Sequence, residues 1–98
     1  MDRQLRIEPG EEGSTYSLAG DIDLESARQV RALVRPEEGP LVLEMSRVMF
    51  LGSEGLAALL ELAGRSGDET LIVRSPSSQV RMILDAVDAR STGIYIED

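Results

Sequence analysis

The stretch LVLEMSRVMFLGSEGLAALLEL, residues 41–62, contains the pattern that decides the fold. It begins with an apolar run at residues 41–43, which predicts a strand covered on both faces. Its last part, together with the alanine that follows it, has apolar residues at helical spacing, the stripe of an amphipathic helix: Leu56, Leu59, Leu60 and Ala63. A strand that leads directly into a helix indicates an α/β domain. Between them, at residues 52–55, lies the turn Gly-Ser-Glu-Gly.

The rest of the chain extends this alternation. Residues 5–8 and 16–20, separated by a Pro- and Gly-containing turn, predict an antiparallel hairpin. Residues 71–73 and 94–96 predict two further strands. Two more helices are predicted from apolar residues at helical spacing. The first stripe is Leu24, Ala27, Val30 (or Arg31) and Val34, and the second is Val80, Ile83, Leu84 and Val87. The order strand, strand, helix, strand, helix, strand, helix, strand predicts one domain over residues 1–98 with a mixed, mostly parallel sheet.

The composition narrows the classes of function. The chain has 98 residues, a net charge of -8, and neither cysteine nor histidine. The charge argues against binding nucleic acid or an anionic membrane surface, and it favours a partner with a basic face. The missing residue types argue against disulfides, the usual zinc sites and histidine-based catalysis. We therefore expect a cytoplasmic protein that is not an enzyme, does not insert into a membrane, and has no cofactor or metal.

The turn at residues 52–55 offers two interpretations. A helix N-terminus has unpaired N–H groups and the positive end of the helix dipole. Ser53 is placed to cap the helix, and Glu54 in the first turn gains about 0.3–1 kcal/mol from the dipole. Gly52 and Gly55 allow a sharp turn and a close approach of the backbone. These residues could simply start the helix, or they could form a regulatory surface.

Other polar and apolar residues near the turn have structural interpretations as well. Asp21 and Asp23 precede the first predicted helix, so either carboxylate could cap it. Glu44 follows the predicted strand, where it would satisfy loop backbone or pair with Arg47. The remaining apolar side chains are expected to fill the core or its rim: Met45, Met49 and Phe50.

In residues 18–23 and 41–56 the sequence resembles the STAS domain, the fold of bacterial anti-sigma factor antagonists. The family pattern has a glycine and an aspartate before the first helix, then an apolar strand, an acid and a turn into the second helix. That turn reads Val-x-Phe, an aliphatic residue, then Asp-Ser-(Ser/Thr)-Gly-Leu. Gly20 and Asp23 match the first part. Ser53, Gly55 and Leu56 match the second part. The resemblance extends over the whole chain and implies helices mainly on one face of the sheet.

The resemblance also implies a partner and a switch. Antagonists of this family bind an anti-sigma factor that is a serine kinase of the histidine-kinase-like ATPase type. Phosphorylation of the residue before the helix glycine abolishes that binding. Here this position is Glu54, which cannot accept a phosphate, and Gly52 replaces the family aspartate. We therefore expect either a domain that permanently resembles the phosphorylated form of its relatives or one that works without phosphorylation. Ser53 is a substitute acceptor, although a hydroxyl engaged in capping would be a poor one.

The predicted partner-binding residues, which include no catalytic residue, are Gly20, Asp21, Asp23, Gly52, Ser53, Glu54, Gly55 and Leu56. Two other functions stay open. One is a STAS subunit of an ABC-type lipid-transport complex or of a stress-signalling scaffold. The other is a receiver-like phosphoacceptor domain, which is disfavoured because the chain has no lysine and its first strand ends in Glu-Pro-Gly. The sequence leaves the identity of the partner and any homo-oligomer undetermined.

Overall fold

A computed structural model of the chain describes residues 3–11, 14–33, 41–65, 71–88 and 92–98. Within these ranges the chain forms five strands and three helices in the predicted order. Their bounds are β1 Arg6–Pro9, β2 Thr15–Ile22, α1 Leu24–Leu33, β3 Leu41–Leu51, α2 Ser53–Arg65, β4 Leu71–Arg74, α3 Ser78–Ala86 and β5 Ile94–Glu97.

The strands form one sheet in the order β1-β2-β3-β4-β5, so that every strand pairs with its neighbour in the chain. The pair β1–β2 is antiparallel, and the other three pairs are parallel. This confirms the predicted hairpin and the mixed, mostly parallel sheet. With right-handed crossovers, an unbroken strand order places all three helices on the same side of the sheet.

The burial of the strands shows that one face of the sheet is covered and the other is open. Leu18, Leu43, Val73 and Ile94 are buried against the helices. Side chains alternate between the two faces along a strand, so residues between these buried ones face away from the helices. Tyr95, which is 57% exposed, is an example. The run at residues 41–43 is buried throughout, as its apolar pattern predicted, and this includes Val42 on the open face. In the other two runs, Ile72 and Tyr95 of the open face are not buried.

Strand β3 is much longer than its apolar run predicts. It continues from Leu41 to Leu51, through residues expected to form a loop. Glu44 lies within it and accepts a hydrogen bond from the Ser46 N–H at 2.7 Å, without pairing with Arg47. The pairing of β2 with β3 contains two irregularities in register. Polar residues are accommodated here because one face of the strand is open.

The core lies between the sheet and the helix stripes. The helices contribute buried residues of the predicted stripes: Ala27, Val30, Leu59, Ala63, Val80 and Leu84. They also bury Ala58 and Leu62, which the predicted stripe did not include, whereas Leu56, Leu60 and Ile83 of the stripes are only partly buried. Two predicted core residues, Leu24 and Val87, are instead exposed, because they lie at or beyond the end of a helix. Gly64 lies inside α2 although a glycine often ends a helix. Val34, the last residue of the first predicted stripe, lies outside the described residues.

Candidate functional site

The predicted site residues meet where β2 and β3 end beside each other. Ile22 pairs with Leu51 in the sheet. The Gly52 N–H donates a hydrogen bond to the Ile22 carbonyl oxygen at 2.9 Å, just beyond the last pair. The starts of α1 and α2 are therefore held at the same edge of the sheet. We call the segments 21–24 and 50–56 together the corner.

The N-cap of α2 is Gly52, and not Ser53 as the sequence suggested. The carbonyl oxygen of Gly52 accepts the first helical hydrogen bond, from the Leu56 N–H at 2.9 Å. Ser53 is the first residue of the helix. An N-cap residue satisfies an unpaired N–H group with its side chain, and glycine has no side chain to do so. The orphan N–H groups of this helix start therefore face outward without a side-chain cap.

Both polar side chains of the turn are exposed. Ser53 and Glu54 lie in the first turn of α2, with the helix dipole behind them. Neither side chain forms a hydrogen bond or an ion pair with another residue that the structure describes. The hydroxyl of Ser53 is thus not engaged in capping, which removes the reason for considering it a poor phosphate acceptor. Glu54 points away from the core at a helix start, as predicted.

Gly55 holds this helix start close to β2. A β-carbon added to Gly55 would lie 2.6 Å from Ile22 Cγ2 and 2.8 Å from the Ile22 carbonyl oxygen. Real β-carbons do not approach neighbouring atoms so closely, so only glycine fits here without a shift of the backbone. Leu56, the next residue, is half-buried and packs against the core. Residues 55 and 56 therefore position the turn, while residues 53 and 54 are presented to solvent.

The start of α1 is capped by side chains. The Asp23 carbonyl oxygen accepts from the Ala27 N–H at 2.9 Å, and Asp23 Oδ1 accepts from the Ser26 N–H at 3.0 Å. The Asp23 N–H in turn donates to Ser26 Oγ at 2.8 Å, which closes a reciprocal capping box. The hydrogen bond from the Ser26 backbone, followed by that from its hydroxyl, lowers the pKa of Asp23 below its ordinary value. Asp23 is a helix cap, as one interpretation of the sequence held.

Asp21 is the last-but-one residue of β2 and caps no helix. Its Oδ2 pairs with Arg3 Nε at 3.0 Å, and its N–H donates to the Arg3 carbonyl oxygen at 2.9 Å. Asp21 Oδ1 is buried with no hydrogen-bond partner among the described residues. Gly20 lies beside this contact with φ +109°, and a β-carbon there would lie 2.6 Å from the Gln4 carbonyl oxygen. Gly20 and Asp21 therefore hold the N-terminal segment against the sheet.

Two large apolar side chains at the corner are exposed. Leu24, the first residue of α1, is 58% exposed, and Phe50, near the end of β3, is 46% exposed. Phe50 Cε2 would lie 3.1 Å from a β-carbon on Gly52, so the ring stands directly beside the turn. The sequence did not single out these two residues as binding residues. The signal that could have found them is an apolar residue directly next to a helix start or at a strand end.

A family model described as "Mlab, STAS domain" matches residues 6–91. The chain belongs to the STAS domain family. STAS domains are in general regulatory or signalling modules that bind other proteins. The matched range contains the whole corner of this STAS domain, together with every residue that the sequence proposed for partner binding.

The structure brings most of the proposed residues of this STAS domain together but gives them different surroundings. Ser53 and Glu54 are exposed, whereas Gly55 is buried and Gly20 is half-buried beneath the N-terminal segment. Among the described residues, no three acidic side chains lie close enough to hold a metal ion. In the same part of the chain no helix has the length and apolar character needed to cross a bilayer.

Proposed function

We propose that this STAS domain is a cytoplasmic regulatory module of the anti-sigma factor antagonist type. Its partner is a serine-kinase-type anti-sigma factor, which it captures through the corner without phosphorylation of residue 54. The observation that carries this proposal is the exposed Glu54 in the first turn of α2, at the position where the family pattern has a phosphate-accepting serine or threonine.

Because residue 54 is a glutamate, binding of the partner would not depend on phosphorylation at this position. A phosphoserine adds about -1.5 to -2 charges and three acceptor oxygens. A glutamate carries one negative charge and two oxygens on a longer side chain, so it reproduces a phosphate poorly. The dipole of α2 stabilises this charge in the unbound domain. A partner that tolerates one carboxylate would therefore bind this domain whether ATP is present or not.

The surroundings of Glu54 support a protein partner. Leu24 at the start of α1 and Phe50 beside the turn present apolar surface at the corner. A few side chains that become buried on binding dominate the binding energy of most protein interfaces. The net charge of -8 favours a partner with a basic face and raises the rate of encounter with it.

The proposal is tested by titration calorimetry against the anti-sigma kinases of the same genome. Wild type should bind with the same affinity with and without ATP. Glu54→Ser should also bind, and should lose binding once ATP is added, because the serine becomes phosphorylated. Leu24→Ala and Phe50→Ala should each weaken binding by about tenfold or more. Tyr95→Ala, which removes an equally exposed ring from the open face, is the matched control and should change nothing.

Two results would contradict the proposal. If wild type fails to bind while Glu54→Ser binds, the carboxylate acts as a permanent phosphate and keeps the partner released. If wild type loses its partner when ATP is added, mass spectrometry should locate a phosphate on Ser53, and Ser53→Ala should restore binding. Glu54→Gln is the stability control, since loss of the dipole interaction should cost less than about 1 kcal/mol.

A second function rests on the same observation. A STAS subunit of an ABC-type lipid-transport complex, or of a stress-signalling scaffold, would use the corner to bind a partner that is not a kinase. Such a subunit needs no phosphoacceptor, which agrees with a glutamate at position 54. Affinity purification from the native cell separates the two functions, because it recovers either an anti-sigma kinase or a transporter subunit.

A further inference from the structure

The open face of the sheet carries a group of arginines that the proposed function does not use. Arg6 pairs with Ala19 across β1 and β2, and Ala19 pairs with Arg47 across β2 and β3. The three residues thus form one row across neighbouring strands, with the smallest side chain in the middle. Two steps between strands place the arginine α-carbons about 10 Å apart. The row therefore has a gap over Ala19 with a guanidinium on each side.

This gap belongs to a cleft of about 420 Å³. Its lining includes Arg6, Ala19, Arg47 and the exposed Met49, while Arg3 and Gln4 form the wall toward the corner. We call it the arginine cleft. Its volume lies in the range of sites for small molecules. Met49 and Ala19 make part of its surface apolar, and a thioether adapts well to varied apolar groups.

The charges of the arginine cleft are not balanced by the protein. Arg3 is paired with Asp21, but neither Arg6 nor Arg47 forms an ion pair with a described residue. Glu8 and Glu44 occupy the next row across the sheet, opposite Ser17, and Glu8 lines an adjacent pocket with Arg6 and Arg47 without forming an ion pair with either. Two arginines without an ion pair that line one cleft are unusual in a chain with 18 acidic and 10 basic residues. Such an arrangement is stabilised by an anion placed between them.

The geometry points to a binding site in the arginine cleft for a small organic phosphate with an apolar body. A phosphate group has enough acceptor oxygens to receive N–H donors from both sides, and arginine is suited to such bidentate contacts. The apolar body would lie along Met49 and over Ala19. This site lies on the open face of the sheet, beside the corner, and none of the residues of segments 21–24 and 50–56 lines it.

Hexyl phosphate is a suitable probe, titrated into the intact, isotopically labelled protein and followed by two-dimensional NMR. The amide signals of Arg6, Ala19, Arg47 and Met49 should shift, with a dissociation constant on the order of 1 mM. Inorganic phosphate and hexanoate should bind the same site more weakly. Hexanol should not shift these signals. If hexanol binds as well as hexyl phosphate, or hexanoate binds more tightly, the assignment to a phosphate is wrong.

Variants test whether the row of residues forms the site. Replacing both Arg6 and Arg47 with glutamine should weaken binding by at least about tenfold. Arg28→Gln is the matched control, since Arg28 is another exposed arginine without an ion pair to a described residue, but it lies on α1 and does not line the arginine cleft. Ala19→Glu places a carboxylate between the arginines and should abolish binding while raising the melting temperature. If either cleft variant binds like wild type, or Arg28→Gln loses as much affinity, the site does not exist.

Discussion

The starts of α1 and α2 lie at the same edge of the sheet and are built in opposite ways. At α1, Asp23 and Ser26 exchange hydrogen bonds and satisfy the helix start with protein groups. At α2, the cap is Gly52, and the side chains of Ser53 and Glu54 bind no other described residue. Glycine is itself an acceptable N-cap residue, so the absence of a capping side chain costs α2 little stability. The contrast leaves the start of α2 exposed, which agrees with the proposal that a partner binds there.

The largest effect is expected for the glycine that holds α2 in place. Gly55→Ala should lower the free energy of unfolding by about 1–3 kcal/mol, because the added β-carbon would overlap with Ile22. Gly64→Ala, in the same helix with nothing within 4 Å of its added β-carbon, should instead raise stability by up to about 1 kcal/mol. Urea unfolding of both variants measures the difference. Equal effects at the two positions would show that α2 can move away from β2 at little cost.

Substitutions at the two helix starts should have different, smaller effects on the melting temperature. Asp23→Ala removes the cap of α1 and should lower the melting temperature by about 4–8 °C. Ser53→Ala removes a hydroxyl without a described partner and should change it by less than about 3 °C. Circular dichroism during heating provides the measurement. A loss for Ser53→Ala as large as that for Asp23→Ala would mean that Ser53 caps α2 after all.

The smallest effect concerns the pH dependence of the α1 cap. Hydrogen bonds lower the pKa of Asp23 in the folded protein, so its contribution to stability is complete above the unfolded pKa of about 3.9. The contribution is lost as the pH falls from there through the lowered folded value. Asp23→Asn keeps a capping side chain that does not titrate. The difference in melting temperature between wild type and this variant should therefore shrink below about pH 4. Parallel curves down to pH 2 would contradict the assignment.

Much of the fold follows from apolar spacing alone. Residues such as Leu59, Leu62, Val80 and Leu84 repeat at helical intervals and are buried where the helices meet the sheet. The length of β3 was not predictable in this way, because its second half contains polar residues that face the open side of the sheet. A sequence pattern shows that a strand is apolar, but it does not show how many of its faces are covered.

The site was predicted in position but not in detail. The turn at residues 52–55 is conspicuous in the sequence, and Glu54 lies at a helix start as expected. Whether Ser53 or Gly52 is the cap depends on one hydrogen bond from Leu56, which no composition or spacing reveals. The row of Arg6, Ala19 and Arg47 likewise depends on the register between three successive strands, which apolar spacing does not reveal.

The agreement between strand order and chain order has a consequence for how the protein folds. Each new strand finds its partner in the strand that precedes it, so only one crossover has to close at a time. Loop closure costs less entropy over a shorter span, so this order should fold faster than a parallel sheet that pairs strands more distant in the chain. The hairpin of β1 and β2 can form first during synthesis, and β5 is added last. Strand β5 lies at the edge of the sheet, and charged side chains at its end, Glu97 paired with Arg74 and Asp98 paired with Arg81, discourage the addition of a strand from another chain.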